Sequence, residues 1–129
     1  MLVTGGTGGI GRAIAHRFAA DQAEVFITGR NPDTVARTAN AMGASGIVCG
    51  ATDSTLRRGS TIISYIAGTN FFGGQLSDER YRALVAETHN KWPGAVDDIA
   101  QTAYFLASPG ARHITGQTIH VNGGAFTAR

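Results

Sequence analysis

Met1-Leu2-Val3-Thr4-Gly5-Gly6-Thr7-Gly8-Gly9-Ile10-Gly11-Arg12-Ala13-Ile14-Ala15 opens the chain. A short apolar run stops at Thr4 and a glycine-dense turn follows. From Ile10 onward, Ile10, Ile14, Phe18 and the alanines between them recur at helical spacing. The pattern predicts strand, turn, helix. A helix that starts at the turn aims its unpaired backbone N–H groups and the positive end of its dipole above the strand end, where phosphate is the usual occupant. Gly5 would permit the tight exit from the strand, Gly9 would let a pyrophosphate approach the backbone, and Gly11 would let the helix pack close to the sheet. Thr7 and Ile10 complete the candidate cofactor loop. Its Gly-x-x-x-Gly-x-Gly spacing differs from the commoner Gly-x-Gly-x-x-Gly fingerprint. A phosphate-loop NTPase is excluded, because Arg12-Ala13 stands where Lys followed by Ser or Thr is required. An ordinary flexible turn would also be glycine-rich, but the strand before, the helix after and a second strand at the right distance favour a nucleotide.

That second strand is Ala23-Glu24-Val25-Phe26-Ile27-Thr28, ended by Gly29. In a dinucleotide fold the residue at this end faces the adenosine ribose, and a carboxylate there selects NAD by bonding the 2′-hydroxyl. Gly29 followed by Arg30 favours a 2′-phosphate instead, since the guanidinium fork matches phosphate, so the expected cofactor is NADP rather than NAD. Asn31-Pro32-Asp33 predicts a helix start, capped by Asn31, that runs to about Met42 and ends at Gly43. Gly46 to Gly50 predicts a brief third strand and Ser60 to Gly68 another. Between them, Asp53 or Ser54 could cap only a vestigial helix, too little for a parallel crossover. Ser77-Asp78-Glu79-Arg80 begins an amphipathic helix, Trp92-Pro93-Gly94 reads as a loop, and Asp97 opens a further helix.

Composition sets the limits. The chain has 129 residues, 43% hydrophobic and 16% charged, which suits one globular domain over residues 1–129. A net charge of +2 with the arginines spread along the chain does not call for nucleic acid. Cys49 is the only cysteine, and His89, His113 and His120 are too far apart in sequence to suggest a metal site. No apolar run approaches membrane-spanning length and the start lacks a signal-peptide layout, so a soluble, cytoplasmic protein is expected.

Thr4-Gly5-x-x-x-Gly9-Ile10-Gly11 resembles the cofactor loop of the short-chain dehydrogenase/reductase family, and Thr28-Gly29-Arg30 is similar to its NADP-preferring second strand. Asp97-Asp98-Ile99-Ala100, Phe105-Leu106-Ala107-Ser108 and Ile114-Thr115-Gly116-Gln117-Thr118-Ile119-His120-Val121-Asn122-Gly123-Gly124 resemble that family's last helix and strand. The resemblance implies a Rossmann-like, doubly wound parallel sheet in three α/β/α layers. It also implies an oxidoreductase moving hydride between nicotinamide and a small-molecule carbonyl or alcohol.

The family's catalytic Tyr-x-x-x-Lys pair is absent. Lys91 is the only lysine and Glu87 stands four places before it, while Tyr65, Tyr81 and Tyr104 are followed four places later by Thr69, Val85 and Ser108. The family's Asn-Asn-Ala-Gly strand is missing too, and Gly50 occupies the place of its adenine-contacting aspartate. Aligning Ile66-Ala67-Gly68 puts Tyr65 at the catalytic serine's place with Ser64 one residue earlier, which leaves Ser64 and Tyr65 as the catalytic candidates. The departures resemble internal deletions near 54–59 and 73–77, or a record lacking those segments. A truncated sheet would leave apolar strand faces uncovered, and association into a homo-oligomer, through such a face or through Thr118 to Val121, is the expected remedy. The alternative to a working oxidoreductase is a non-catalytic nucleotide-binding remnant, stable only as an assembly.

Overall fold

The computed structural model describes residues 1–49, 66–67 and 77–125. Three parallel strands, β1 (Leu2–Val3), β2 (Phe26–Gly29) and β3 (Ser45–Val48), lie in the order β1-β2-β3. Val3 stands opposite Ile27, Ile27 opposite Gly46, and Gly29 opposite Val48. Helices α1 (Gly9–Ala20) and α2 (Pro32–Met42) form the two crossovers.

Local chemistry accounts for both helices. In α2 the Asn31 side chain accepts the Thr34 N–H at 2.9 Å, Pro32 supplies a pre-set φ in the first turn, and Asp33 favours the positive dipole end. The helix stops where Gly43 adopts φ 67°, a left-handed conformation that costs glycine nothing. Helix α1 runs to Ala20, and Gln22 at φ 60° turns the chain toward β2.

Strand parity sets the core face, although Thr28 on the opposite face is buried too, at 4% exposed. Val3, Val25 and Ile27 point to one face and join Ala15 and Phe18 of α1 and Ala39 of α2 in the core. Ile27 is fully buried, and removing a side chain of that size from water contributes roughly 1.5–3 kcal/mol. Leu2 and Ile47, of opposite parity, remain 47% and 44% exposed.

Helix α4 (Val96–Leu106) packs along α1, which also touches α2, so the three helices form one layer over the core face. Arg17 and Tyr104 fasten the seam. The Tyr104 ring lies 5.3 Å from that of Phe18, and the Arg17 guanidinium sits 3.9 Å from the Tyr104 ring centre. Arg17 donates to Gln101 Oε1 at 3.2 Å and pairs with Asp21 at 3.1 Å, while the Tyr104 hydroxyl donates to the other Asp21 oxygen. The Tyr104 hydrogen bond first, and Arg17 second, hold the Asp21 carboxyl below its ordinary value; the same carboxylate pushes the Tyr104 hydroxyl up.

The second ladder pairs β4 (Ile66–Ala67) in parallel with β5 (Gly94–Ala95). Helix α3 (Asp78–Glu87) starts where the Ser77 hydroxyl accepts the Arg80 N–H at 3.3 Å, and α4 where the Asp98 carboxylate accepts the Ala95 N–H at 2.8 Å.

The α/β class therefore holds, with parallel strands, helical crossovers and an incomplete sheet. Two local expectations are corrected. Gly94 belongs to β5 and not to a loop, because a two-residue strand is defined by its distant partner, here Ile66–Ala67, and not by its own residue types. The stretch 114–121, Thr118 to Val121 included, forms no strand among the described residues. Among the described residues no strand pairs with it. The turn beyond it docks instead, as the Gly123 carbonyl accepts the His89 and Asn90 N–H groups at 2.9 and 3.2 Å. Of the strand expected over Ser60 to Gly68, only Ile66–Ala67 is described. Asp53, Ser54 and the junctions at 54–59 and 73–76 lie outside the described residues.

Candidate nucleotide-binding site

The loop between β1 and α1 is held by its own backbone. Gly5 sits at φ 66°, which would strain any side-chain-bearing residue. The Gly6 N–H donates to the Thr28 carbonyl at 3.1 Å and ties the loop to β2, and the Gly8 N–H donates to the Gly5 carbonyl at 3.0 Å and closes the turn. A Cβ on Gly11 would lie 2.3 Å from the Gly5 oxygen and 2.8 Å from its carbon. The close approach expected at Gly11 is thus made against the loop backbone at Gly5.

The start of α1 differs from those of the other described α-helices. Asn31, Ser77 and Asp98 each bind a backbone N–H at the starts of α2, α3 and α4, and each of those first turns carries one or two carboxylates. Helix α1 begins at Gly8, which has no side chain to cap with, and its first turn holds no acid. Its first internal bond is Arg12 N–H to the Gly8 carbonyl at 2.7 Å, so the N–H groups of Gly9, Ile10 and Gly11 have no protein partner among the described residues. All three residues are only half-buried, so a ligand can reach them.

Arg30 follows β2 directly, is exposed, and has no ion pair or hydrogen bond among the described residues. The loop and this strand end meet at Gly29. A Cβ there would fall 2.9 and 3.0 Å from the Thr7 Cγ2 and Oγ1, and 2.8 Å from the Val35 Cγ2. Sequence reasoning placed Thr7 in the loop but missed this contact; the available signal was a glycine inside a strand, which marks a close approach.

A hollow of about 680 Å³ lies between α1, α2 and α4, lined by Arg12, His16, Arg37, Asp97 and Gln101 among others. It shares only Gly9 with the candidate loop residues, and it is not the cradle to which the α1 N–H groups belong.

The catalytic candidates Ser64 and Tyr65 lie outside the described residues. Neither described tyrosine forms a working pair with Lys91. Tyr104 is engaged by Asp21 and held in its protonated form. Tyr81 shares a small hollow with Lys91, but the Lys91 ammonium donates to the Ala86 carbonyl at 2.6 Å. Among the described residues no three His, Cys, Asp or Glu side chains are grouped to hold a metal ion, and no helix is long and apolar enough to cross a membrane.

Residues 1–68, which hold this loop and both strands tied to it, match the short chain dehydrogenase family model. The chain belongs to the short-chain dehydrogenase family. A model described as enoyl-(acyl carrier protein) reductase matches residues 61–126, so the two matches together run through α4 and the turn at Gly123. Among short-chain dehydrogenase relatives, 3-oxoacyl-[acyl-carrier-protein] reductase FabG of Staphylococcus aureus is 36% identical over 98 residues, 74% of this chain and 40% of that protein. The chain therefore aligns with well under half the length of that relative. The TT0495 protein of Thermus thermophilus superposes with a TM-score of 0.76 at 17% identity, across 96% of this chain and 97% of that one. A Brucella melitensis structure described as a short-chain dehydrogenase/reductase, glucose/ribitol dehydrogenase, gives 0.74 at 18% identity, across 98% and 96%. At those identities the two structures speak for the fold.

Proposed function

We propose that residues 1–129 form one NAD(P)-binding domain of the Rossmann type and belong to an NADP(H)-dependent reductase of the short-chain dehydrogenase type. The observation that carries this reading is the uncapped, acid-free start of α1, with three unpaired N–H groups reached over a glycine loop. Those donors fit a pyrophosphate, and the free guanidinium of Arg30 fits a ribose 2′-phosphate. NADPH, when bound, supplies the hydride. This chain's part is to hold the pyrophosphate on the Gly9, Ile10 and Gly11 N–H groups, to keep Gly5 and Thr7 beside it, and to orient the adenosine end through Arg30. Ser64 and Tyr65 remain the residues proposed to meet the substrate oxygen. The name of the staphylococcal relative suggests a 3-oxoacyl thioester as the carbonyl substrate.

One observation favours the second reading, a nucleotide-binding remnant without turnover. The only lysine, Lys91, is already bound to the Ala86 carbonyl and stands four places after Glu87. NADPH fluorescence titration and a 3-oxoacyl thioester reductase assay separate the two. Binding with turnover supports the first reading, and binding without turnover the second. Arg30→Ala should weaken NADPH by about 10- to 100-fold and leave NADH unchanged, as expected for the loss of a charge-assisted contact. Unchanged NADPH affinity in both Arg30→Ala and Gly9→Ala would overturn the cofactor site. Homo-oligomerisation through the strand face that carries exposed Leu2 and Ile47 is part of the proposal, and a monomer by light scattering would remove it.

A further inference from the structure

Position 29 can be a glycine and little else while Thr7 stands where it does. Thr7 has two heavy branches distributed over three staggered wells. Both branches now lie within 3.0 Å of where a Cβ on residue 29 would sit. A turn about χ1 can vacate only one of those two wells, because the other branch, or the rotated one, then fills the remaining well. Every rotamer of Thr7 thus leaves a branch against position 29.

Val35 closes the other side. It is 2% exposed, and a β-branched residue in a helix strongly prefers one χ1. Its Cγ2 would lie 2.8 Å from a Cβ on Gly29 and its Cγ1 2.7 Å from a Cβ on Gly46, so Val35 is wedged over two glycines of neighbouring strands. Relief at one glycine by rotation is resisted at the other.

Resting on the dinucleotide reading above, we propose that Thr7, backed by Val35, sets the nucleotide preference of this site by holding position 29 to glycine. A carboxylate at the strand end would bond a ribose 2′-hydroxyl and repel a 2′-phosphate. Thr7 denies that carboxylate its Cβ, and the adenosine end is left to Arg30. Thr7 is a positioning residue here: it acts through the backbone of residue 29 and not by touching the 2′-group.

The test compares the parent chain with Gly29→Asp, Thr7→Ala and the double variant, reading Tm and the dissociation constants of NADP+ and NAD+ by calorimetry. Gly29→Asp alone should lower Tm by roughly 5 °C or more. It should also weaken NADP+ by at least about tenfold without any gain for NAD+. Adding Thr7→Ala should recover at least half of the Tm loss and bind NAD+ about tenfold or more better than Gly29→Asp does. Should Gly29→Asp fail to fold, Gly29→Ala with and without Thr7→Ala reads the same coupling from Tm. The inference is overturned if Gly29→Asp gains NAD+ affinity with Tm unchanged, or if Thr7→Ala recovers no stability. A parent chain that binds neither nucleotide refutes the cofactor reading and the nucleotide preference with it, whereas Tm recovery in the double variant reports the packing contact independently.

Discussion

Gly11→Ala sets two ordinary effects against each other, and the distances decide between them. In a helix interior alanine is favoured over glycine by about 1 kcal/mol. Against this, the new Cβ would sit 2.3 Å from the Gly5 oxygen, where carbon–oxygen contacts normally begin at about 3.3 Å, so some 1 Å must be found. The loop cannot readily give it. Gly6 is tied to Thr28, and the Gly5 carbonyl that would be struck is the acceptor closing the turn from Gly8. Overpacking costs about 1–3 kcal/mol and the loss of that hydrogen bond about 1 kcal/mol more. After the propensity gain, Gly11→Ala should destabilise by about 1–3 kcal/mol, lowering Tm by roughly 4–12 °C. Gly8→Ala is the control. Its Cβ would meet the Gly5 oxygen at 3.5 Å, an ordinary contact, and its cost should stay within about 1 kcal/mol. Thermal unfolding by circular dichroism reads both. A Gly11→Ala variant as stable as the parent, or more stable, would show that propensity outweighs contact and that α1 does not press on the loop.

Three further variants test the packing and the cap. Tyr104→Phe should flatten the pH dependence of stability at both ends: the lowered Asp21 carboxyl contributes stability above its ordinary value near 3.8 that is lost as pH falls through the folded value, and the raised Tyr104 hydroxyl contributes stability below 10.0 that is lost as pH rises through its own. Both groups are exposed, so the change will be small, and a series of Tm values from pH 3 to 11 that is identical in the two proteins would dismiss the seam as a stabilising contact. Ile27→Ala, at a fully buried position, should cost about 2–5 kcal/mol. Asn31→Ala should cost about 1 kcal/mol through the lost cap. Urea denaturation ranks the two, and equal midpoints would contradict the assignment of Ile27 to the core.

How much of this could be read from the residues depended on how far apart the determinants lie. Helix α2 was fully legible, because Asn31, Pro32 and Gly43 act within a turn of where they stand. The strand–turn–helix form of the glycine stretch was legible for the same reason. Strand β5 was not, since Gly94–Ala95 becomes a strand only through Ile66–Ala67, and neither was the lack of a strand over 114–121 among the described residues, which composition alone does not decide. The wedge of Thr7 and Val35 on Gly29 joins three separate elements: a glycine inside β2 signals a close approach but not which residues make it. Gly11 shows a middle case: the need for close approach was evident, but its target, the carbonyl of Gly5, was not.

The seam between α1 and α4 sets an order of assembly. The contacts Arg17–Gln101 and Asp21–Tyr104 join residues 84 and 83 positions apart, whereas the strand pairings of β1, β2 and β3 fall inside residues 1–49. Closing a loop of that length costs about 1 kcal/mol more chain entropy than each of the shorter closures within the local unit. During synthesis at roughly 5–20 residues per second, the first three strands and two helices are complete several seconds before Tyr104 exists. Through that interval Phe18 lacks the aromatic ring that covers it in the finished fold.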